Sequence, residues 1–247
     1  MTAPDQSGDE QFTTTHWSVV LAAGQADSPG AQQALEQLCR TYWYPLYAFV
    51  RRQGRSPQDA QDLTQEFFTR FLAREYFRLA DPARGRFRSF LLASLKALLA
   101  EAHRHAHRLK RGGGQTFLSW DALAAEERYA AEPRNESTAE SLYEQRWALT
   151  LLETVLARLG AELVAAGKGE LFAALKGQLG GEGSPAPYAE LATRLGLSEG
   201  ALKVAVHRLR RRFRELLREE VAHTVADPAA VDEELRHLVA VVRGAGV

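Results

Sequence analysis

Residues 188–198 read Tyr188-Ala189-Glu190-Leu191-Ala192-Thr193-Arg194-Leu195-Gly196-Leu197-Ser198. Leu191, Ala192 and Leu195 give a short helix one apolar face. Ala192 is small where a following helix must cross closely. Gly196 permits a tight turn, and Ser198 is placed to cap a second helix. This is the pattern of a helix–turn–helix, whose second helix enters the major groove of DNA. In that second helix Leu202, Val206, Leu209, Phe213 and Leu216 fall on one side. Lys203, His207, Arg210, Arg211 and Arg214 fall largely on another, flanked by Arg208 and Arg212. Arginine pairs bidentately with guanine, and either basic residue holds phosphate. The plain alternative is the solvated basic face of an ordinary helical hairpin.

Beyond this stretch almost everything reads as helix, and the expected fold class is all-α, two helical domains joined by a flexible linker. Apolar residues recur three and four apart, and strand-like alternation is nearly absent. Ser56-Pro57-Gln58-Asp59 is a helix start: a capping serine, proline at the first helical position, and an acid at the positive end of the dipole. The spacing predicts helices over 31–53, interrupted at Pro45, then from Ser56 to about 74, over 87–108 and over 139–165. Further helices are expected over 169–178, 187–195, 199–220 and 229–242. Ser137-Thr138-Ala139-Glu140 fits a capping box opening the helix at 139.

The chain has 247 residues, with 31 Lys+Arg against 31 Asp+Glu, 45% hydrophobic and 25% charged, which are ordinary globular values. One cysteine, Cys39, excludes an internal disulfide and a cysteine-based metal centre. It falls on an apolar helix face and reads as core. Trp17, Trp43, Trp120 and Trp147 read as packing anchors. The first residues lack a basic start and an apolar run, so no secretory signal is read, and no stretch approaches the ~20 apolar residues of a membrane span. The expectation is a soluble cytoplasmic protein with no membrane partner.

The zero net charge hides segregation. Residues 84–111 carry eight bases and one acid; residues 121–144 carry seven acids and two bases; residues 203–214 carry six bases and no acid. Two basic blocks separated by an acidic one suit two contacts on a polyanion. The expected organisation is a disordered tail over 1–30, a helical domain over 31–111, a flexible linker with room for short ordered pieces over 112–137, a second helical domain over 138–220 and an extension over 221–247.

Taken together, the two halves resemble bacterial RNA polymerase sigma factors of the extracytoplasmic-function group, over residues 31–220. Asp59-Ala60-Gln61-Asp62-Leu63-Thr64-Gln65-Glu66-Phe67-Phe68 looks like the family's region 2.2 helix, which docks on the clamp coiled coil of the beta-prime subunit. The resemblance implies polymerase binding by Asp59, Asp62, Leu63, Gln65, Glu66 and Phe67, with Leu63 and Phe67 also holding the helix in its own bundle. Phe87-Arg88-Ser89-Phe90-Leu91 resembles the opening of regions 2.3 and 2.4, with Phe90 in place of the usual tryptophan. It implies minus-ten contacts from Arg88, Lys96, Arg104, Arg108, Lys110 and Arg111. Lys96-Ala97 and Glu101 stand where the family often has Arg-Asn and Asp. Residues 139–220 resemble region 4, which reads the minus-thirty-five element. That implies DNA contacts from Ser198, Glu199, Lys203, His207 and Arg208, with Arg210, Arg211 and Arg214 on phosphates.

The partners implied are core RNA polymerase, through the beta-prime clamp and the beta flap, and promoter DNA, with an anti-sigma factor as the family's usual regulator. The extra segment 160–186 and the C-terminal extension depart from the family pattern, and the extensions are candidates for the anti-sigma factor's place. No catalysis and no cofactor are implied. Two other readings stay open: a stand-alone helix–turn–helix repressor, and a helical metal hydrolase in which His103 and His107, four residues apart, share a zinc ion with His105 nearby. Gly112-Gly113-Gly114 has no preceding strand and no following Lys-Ser/Thr, so it is read as a hinge rather than a phosphate loop. Thr64 lies in the docking helix, where phosphorylation adds charge at an interface.

Overall fold

The computed structural model describes residues 29–73, 86–106, 122–132, 137–179 and 187–244. Among them every regular element is helical. In chain order they are α1 (Pro29–Arg52), α2 (Pro57–Leu72), α3 (Phe87–Ala106), α4 (Ala122–Ala130), α5 (Ala139–Ala165), α6 (Gly169–Leu175), α7 (Tyr188–Leu195), α8 (Glu199–Thr224) and α9 (Val231–Gly244). Short 3₁₀ turns, Lys176–Gln178 and Pro228–Ala230, follow α6 and precede α9.

α1 is the central element. Every residue from Tyr42 to Val50 is buried. The helix continues unbroken through Pro45, where two shorter pieces were also compatible with the sequence. A proline inside a helix removes one backbone hydrogen bond and costs roughly 3 kcal/mol. Burial of Tyr42, Leu46, Tyr47 and Phe49, each at about 1.5–3 kcal/mol, more than offsets it. Cys39, Trp43 and Trp147 are core residues, as expected.

α2 begins as the sequence predicts. Ser56 Oγ accepts from the Asp59 backbone N–H at 3.1 Å and donates to Asp59 Oδ2 at 2.7 Å. Its inner face packs aromatic rings in series: Phe68 stacks on Trp43 at 5.5 Å, and Phe71 meets Phe87 of α3 edge-on at 6.5 Å. From α3 the core receives Phe87, Leu91, Leu95, Leu98 and Leu99, while Phe90 is only half-buried.

α5 starts at Ala139, where the sequence places it. The cap is Thr138, whose Oγ1 accepts from the Ser141 N–H at 3.1 Å, and not Ser137. Ser137 Oγ is occupied instead by Arg52 Nη2 at 2.9 Å, which binds the start of α5 to the end of α1. α5 then lies along α1, with Tyr143 edge-on to Phe49 at 6.5 Å. The two stretches expected as separate domains therefore share a packed core in this structure. Part of the stretch expected as linker is also built in. Glu126 of α4 accepts from Arg51 Nη2 at 2.8 Å, Arg51 Nε at 2.9 Å and the Tyr47 hydroxyl at 2.5 Å. Just beyond α4, Glu132 accepts from the Tyr44 hydroxyl at 2.5 Å.

The helix–turn–helix forms from α7 and α8. Gly196 takes φ +63°, and the N–H groups of Gly196 and Leu197 close α7 on Thr193 and Ala192 carbonyls. Ser198 Oγ caps α8 through the Ala201 N–H at 3.2 Å. α8 runs to Thr224, four residues past the expected end. There a short turn leads into α9, which packs back on α5 and α8 through Val231 and Leu238.

Candidate nucleic-acid interface

Helical spacing divides α2 into two faces. Phe67, Phe68 and Phe71 are buried, and Leu63 is half-buried against the core. Asp59, Asp62 and Glu66 are exposed on the opposite side, with Gln65 half-buried. Asp62 accepts from Gln58 Nε2 at 3.0 Å, and Glu66 pairs with Arg70 at 2.5 Å. Such surface pairs are worth little and exchange readily for a partner's cations. Phe67, one of the expected polymerase contacts, is fully buried and serves the bundle alone. Thr64 is likewise buried, its hydroxyl donating to the Ala60 carbonyl at 2.7 Å, so it is not open to modification here.

The recognition helix sorts its own basic residues. Lys203, His207, Arg208 and Arg214 are exposed, with no hydrogen-bond or ion-pair partner among the described residues. Arg211 is exposed and lies 3.5 Å from Glu215. Arg210 is exposed but donates twice to the Gln178 carbonyl, at 2.9 and 2.8 Å, bracing the 3₁₀ turn after α6. That use competes with the expected phosphate role. Arg212 makes a bidentate pair with Glu162 of α5 at 2.9 and 2.8 Å, and those hydrogen bonds hold its guanidinium above its usual range. Ser198 is spent as the cap, and Glu199 lies exposed in the first turn.

The expected minus-ten residues are distributed differently. Lys96 is exposed and pairs with Glu140 at 2.6 Å, which lowers the Glu140 carboxyl. Arg104 is exposed. Arg108, Lys110, Arg111, His107, the side chain of His105, Gly112-Gly113-Gly114, Trp17 and Trp120 lie outside the described residues. His103 is exposed, and no group of three or more ligating side chains that could hold a metal occurs among the described residues.

Arg88 departs most from expectation. Its side chain is 2% exposed. Its Nε donates to Glu144 of α5 at 2.6 Å, and its Nη1 pairs with Glu234 of α9. Its guanidinium lies 4.3 Å over the Trp147 ring, and its carbonyl accepts from the Tyr143 hydroxyl at 2.9 Å. In this structure Arg88 is closed to DNA.

Residues 38–109 match the family Sigma-70 region 2. No curated protein and no solved structure matches the chain. Region 2 supports a sigma-factor role in transcription initiation and implies core RNA polymerase and promoter DNA as partners. The matched span takes in the acidic face of α2, the aromatic series behind it and all of α3. Among the described residues no helix is long and apolar enough to cross a membrane.

Sequence reasoning missed the residues that cover region 2. Arg86 lies 2.6 Å from both Glu233 and Glu234, and His237 Nε2 lies 3.0 Å from Glu144 Oε2. Burial pushes the Glu234 carboxyl up, against the pull of the Arg88 and Arg86 charges. A signal was present: in α9 Val231, Leu235, Leu238 and Val242 recur at helical spacing, and Glu234 stands inside that stripe. A carboxylate in an apolar stripe points to a buried cationic partner.

Proposed function

We propose that this chain is a sigma factor of the extracytoplasmic-function type, with residues 31–111 acting on the minus-ten element and residues 138–220 reading the minus-thirty-five element. The single observation that carries this reading is the coexistence of the region 2 match with a capped helix–turn–helix presenting exposed Lys203, His207 and Arg208. A repressor has no use for the first, and region 2 alone has no second reading head. Asp59, Asp62 and Glu66 dock the beta-prime clamp through their exposed carboxylates, while Phe67, Phe68 and Phe71 keep α2 in register. Lys203, His207 and Arg208 read bases or hold phosphates in the major groove. The carboxylate and guanidinium chemistry serves binding, not bond making.

The test is complex formation with core RNA polymerase, followed by size exclusion. A one-to-one complex that is weakened in Asp62→Ala is the expected result. A folded chain that never co-elutes with core polymerase overturns the reading in favour of a stand-alone DNA-binding regulator.

A further inference from the structure

We propose that the C-terminal segment 225–244 is an internal stand-in for nucleic-acid phosphate, its acidic first turn occupying the two arginines that open α3. This rests on the sigma-factor reading, in which α3 contacts promoter DNA, and adds how that contact is controlled.

The geometry is that of a guanidinium–anion site already filled. Arg86 and Arg88 stand two residues apart at the start of α3. Glu233 and Glu234, consecutive in the first turn of α9, face both: Arg86 lies 2.6 Å from a carboxylate oxygen of each, and Arg88 pairs with Glu234. Guanidinium forks recognise carboxylate and phosphate with the same planar donor set, so an α9 that occupies them excludes a DNA backbone from them. Asp232 anchors the same turn to Arg218 of α8.

The burial argues for a switch rather than a plug. Glu234 and Arg88 have side chains 1% and 2% exposed. A buried ion pair is rarely the most stable filling for such a site, because desolvating both charges offsets most of their attraction. An apolar residue at 234 would continue the stripe of α9 and pack at lower cost. The carboxylate instead makes the dock specific for the arginines and replaceable by another polyanion. The rest of the attachment is modest: Val231 and Leu238 are buried, Leu235, Val241 and Val242 are half-buried, and Val239 is 43% exposed. The tether keeps α9 at high local concentration, so weak docking suffices until DNA competes. Glu144 Oε2 is shared by Arg88 and His237, so α9 also touches the seam between α3 and α5.

The experiment compares the full chain with Glu233→Gln/Glu234→Gln, both in a Lys203→Ala/Arg208→Ala background that silences the helix–turn–helix. Affinity for a fluorescein-labelled single-stranded 20-mer is read by anisotropy across salt concentrations. Glu153→Gln/Glu170→Gln, which removes the same charge from exposed positions elsewhere, is the control. The expected result is at least tenfold tighter binding, with a salt slope steeper by about 1.5 for two added phosphate contacts, against less than threefold for the control. A variant that keeps its helical circular dichroism but gains no more than the control overturns the proposal.

A second measurement needs no change in α9. Saturating oligonucleotide should speed amide exchange over 231–242 at least tenfold in the same background, while α7 is unaffected. Unchanged protection of α9 at saturation overturns the proposal even if the glutamine variant fails to fold. If no protein in the set binds the oligonucleotide, the reading of α3 as a nucleic-acid surface fails with it. Polymerase co-elution of the same proteins reports the sigma role separately.

Discussion

Arg88 is a charge held on four sides: two carboxylates, an indole face and a tyrosine that fixes its backbone. Removing one partner of such a cluster leaves the others buried and uncompensated, which typically costs 3–5 kcal/mol. Arg88→Ala is therefore expected to destabilise the chain by about 4 kcal/mol in urea unfolding, far more than loss of a surface DNA contact. Glu126 gives the complementary case, with a pH dependence. Hydrogen bonds from Arg51 above all, and from Tyr47, hold its carboxyl below the usual carboxylate range. A depressed carboxyl contributes stability that is complete above its unfolded value of about 4.3 and is lost as pH falls through the folded one. Glu126→Gln should cost about 1 kcal/mol near pH 7, and the difference from wild type should shrink toward zero as unfolding is followed below about pH 4. A difference that grows on acidification contradicts this assignment. The sequence announced these residues unequally. Cys39, Trp43 and Phe67 could be placed in the core from spacing alone. Arg88 could not, because its partners lie 56 and 146 positions away and no local pattern encodes them.

At the scale of elements, two glycines separate backbone demand from packing demand. Gly196 takes φ +63° with nothing within 4 Å of an added Cβ, so Gly196→Ala meets only the left-handed backbone cost of about 1–2 kcal/mol. A fall of several degrees in melting temperature, with the helix–turn–helix intact, is the expected outcome. Gly160 sits inside the C-terminal part of α5, where an added Cβ would come 2.7 Å from Phe172 Cε1 of α6. Alanine there gains about 1 kcal/mol of helix propensity and meets a clash of comparable or larger size. Gly160→Ala should destabilise, and Phe172→Leu alongside it should recover part of the loss, which a double-mutant cycle reads directly. The basic helix makes a similar distinction. Arg208→Ala should leave stability within about 0.5 kcal/mol of wild type, while Arg210→Ala loses the two bonds that satisfy the Gln178 carbonyl and should cost about 1–3 kcal/mol. Caps and turns were legible because their chemistry is local: Ser56, Gly196 and Ser198 do what their positions dictate. Less legible was the bond from a distant arginine, Arg52, to the Ser137 hydroxyl beside the Thr138 cap.

At the scale of the molecule, the sequence divides at an acidic stretch and the structure joins across it. α1 contributes Phe49 and α5 contributes Tyr143 to the same core, while α4 fastens the intervening segment through Glu126. Elements sharing one core melt together. Far-ultraviolet dichroism and tryptophan fluorescence should therefore report one coincident unfolding transition, and two resolved transitions would mean that the halves are held only loosely. Composition and spacing made the all-α class legible, since helical periodicity is local. How the two halves meet was not, since that depends on surfaces brought together over more than 80 residues, such as Tyr44 with Glu132.

Cys39 sits on α1 inside that shared core, 1% exposed, and it is the sole thiol of the chain. One sulfur per molecule, buried in the core, is a native clock. Its rate of capture by a small aromatic disulfide, followed by absorbance, counts each opening of the core. That rate can be timed in the free protein and again with polymerase or DNA bound, with no label to add and no second thiol to confuse the count.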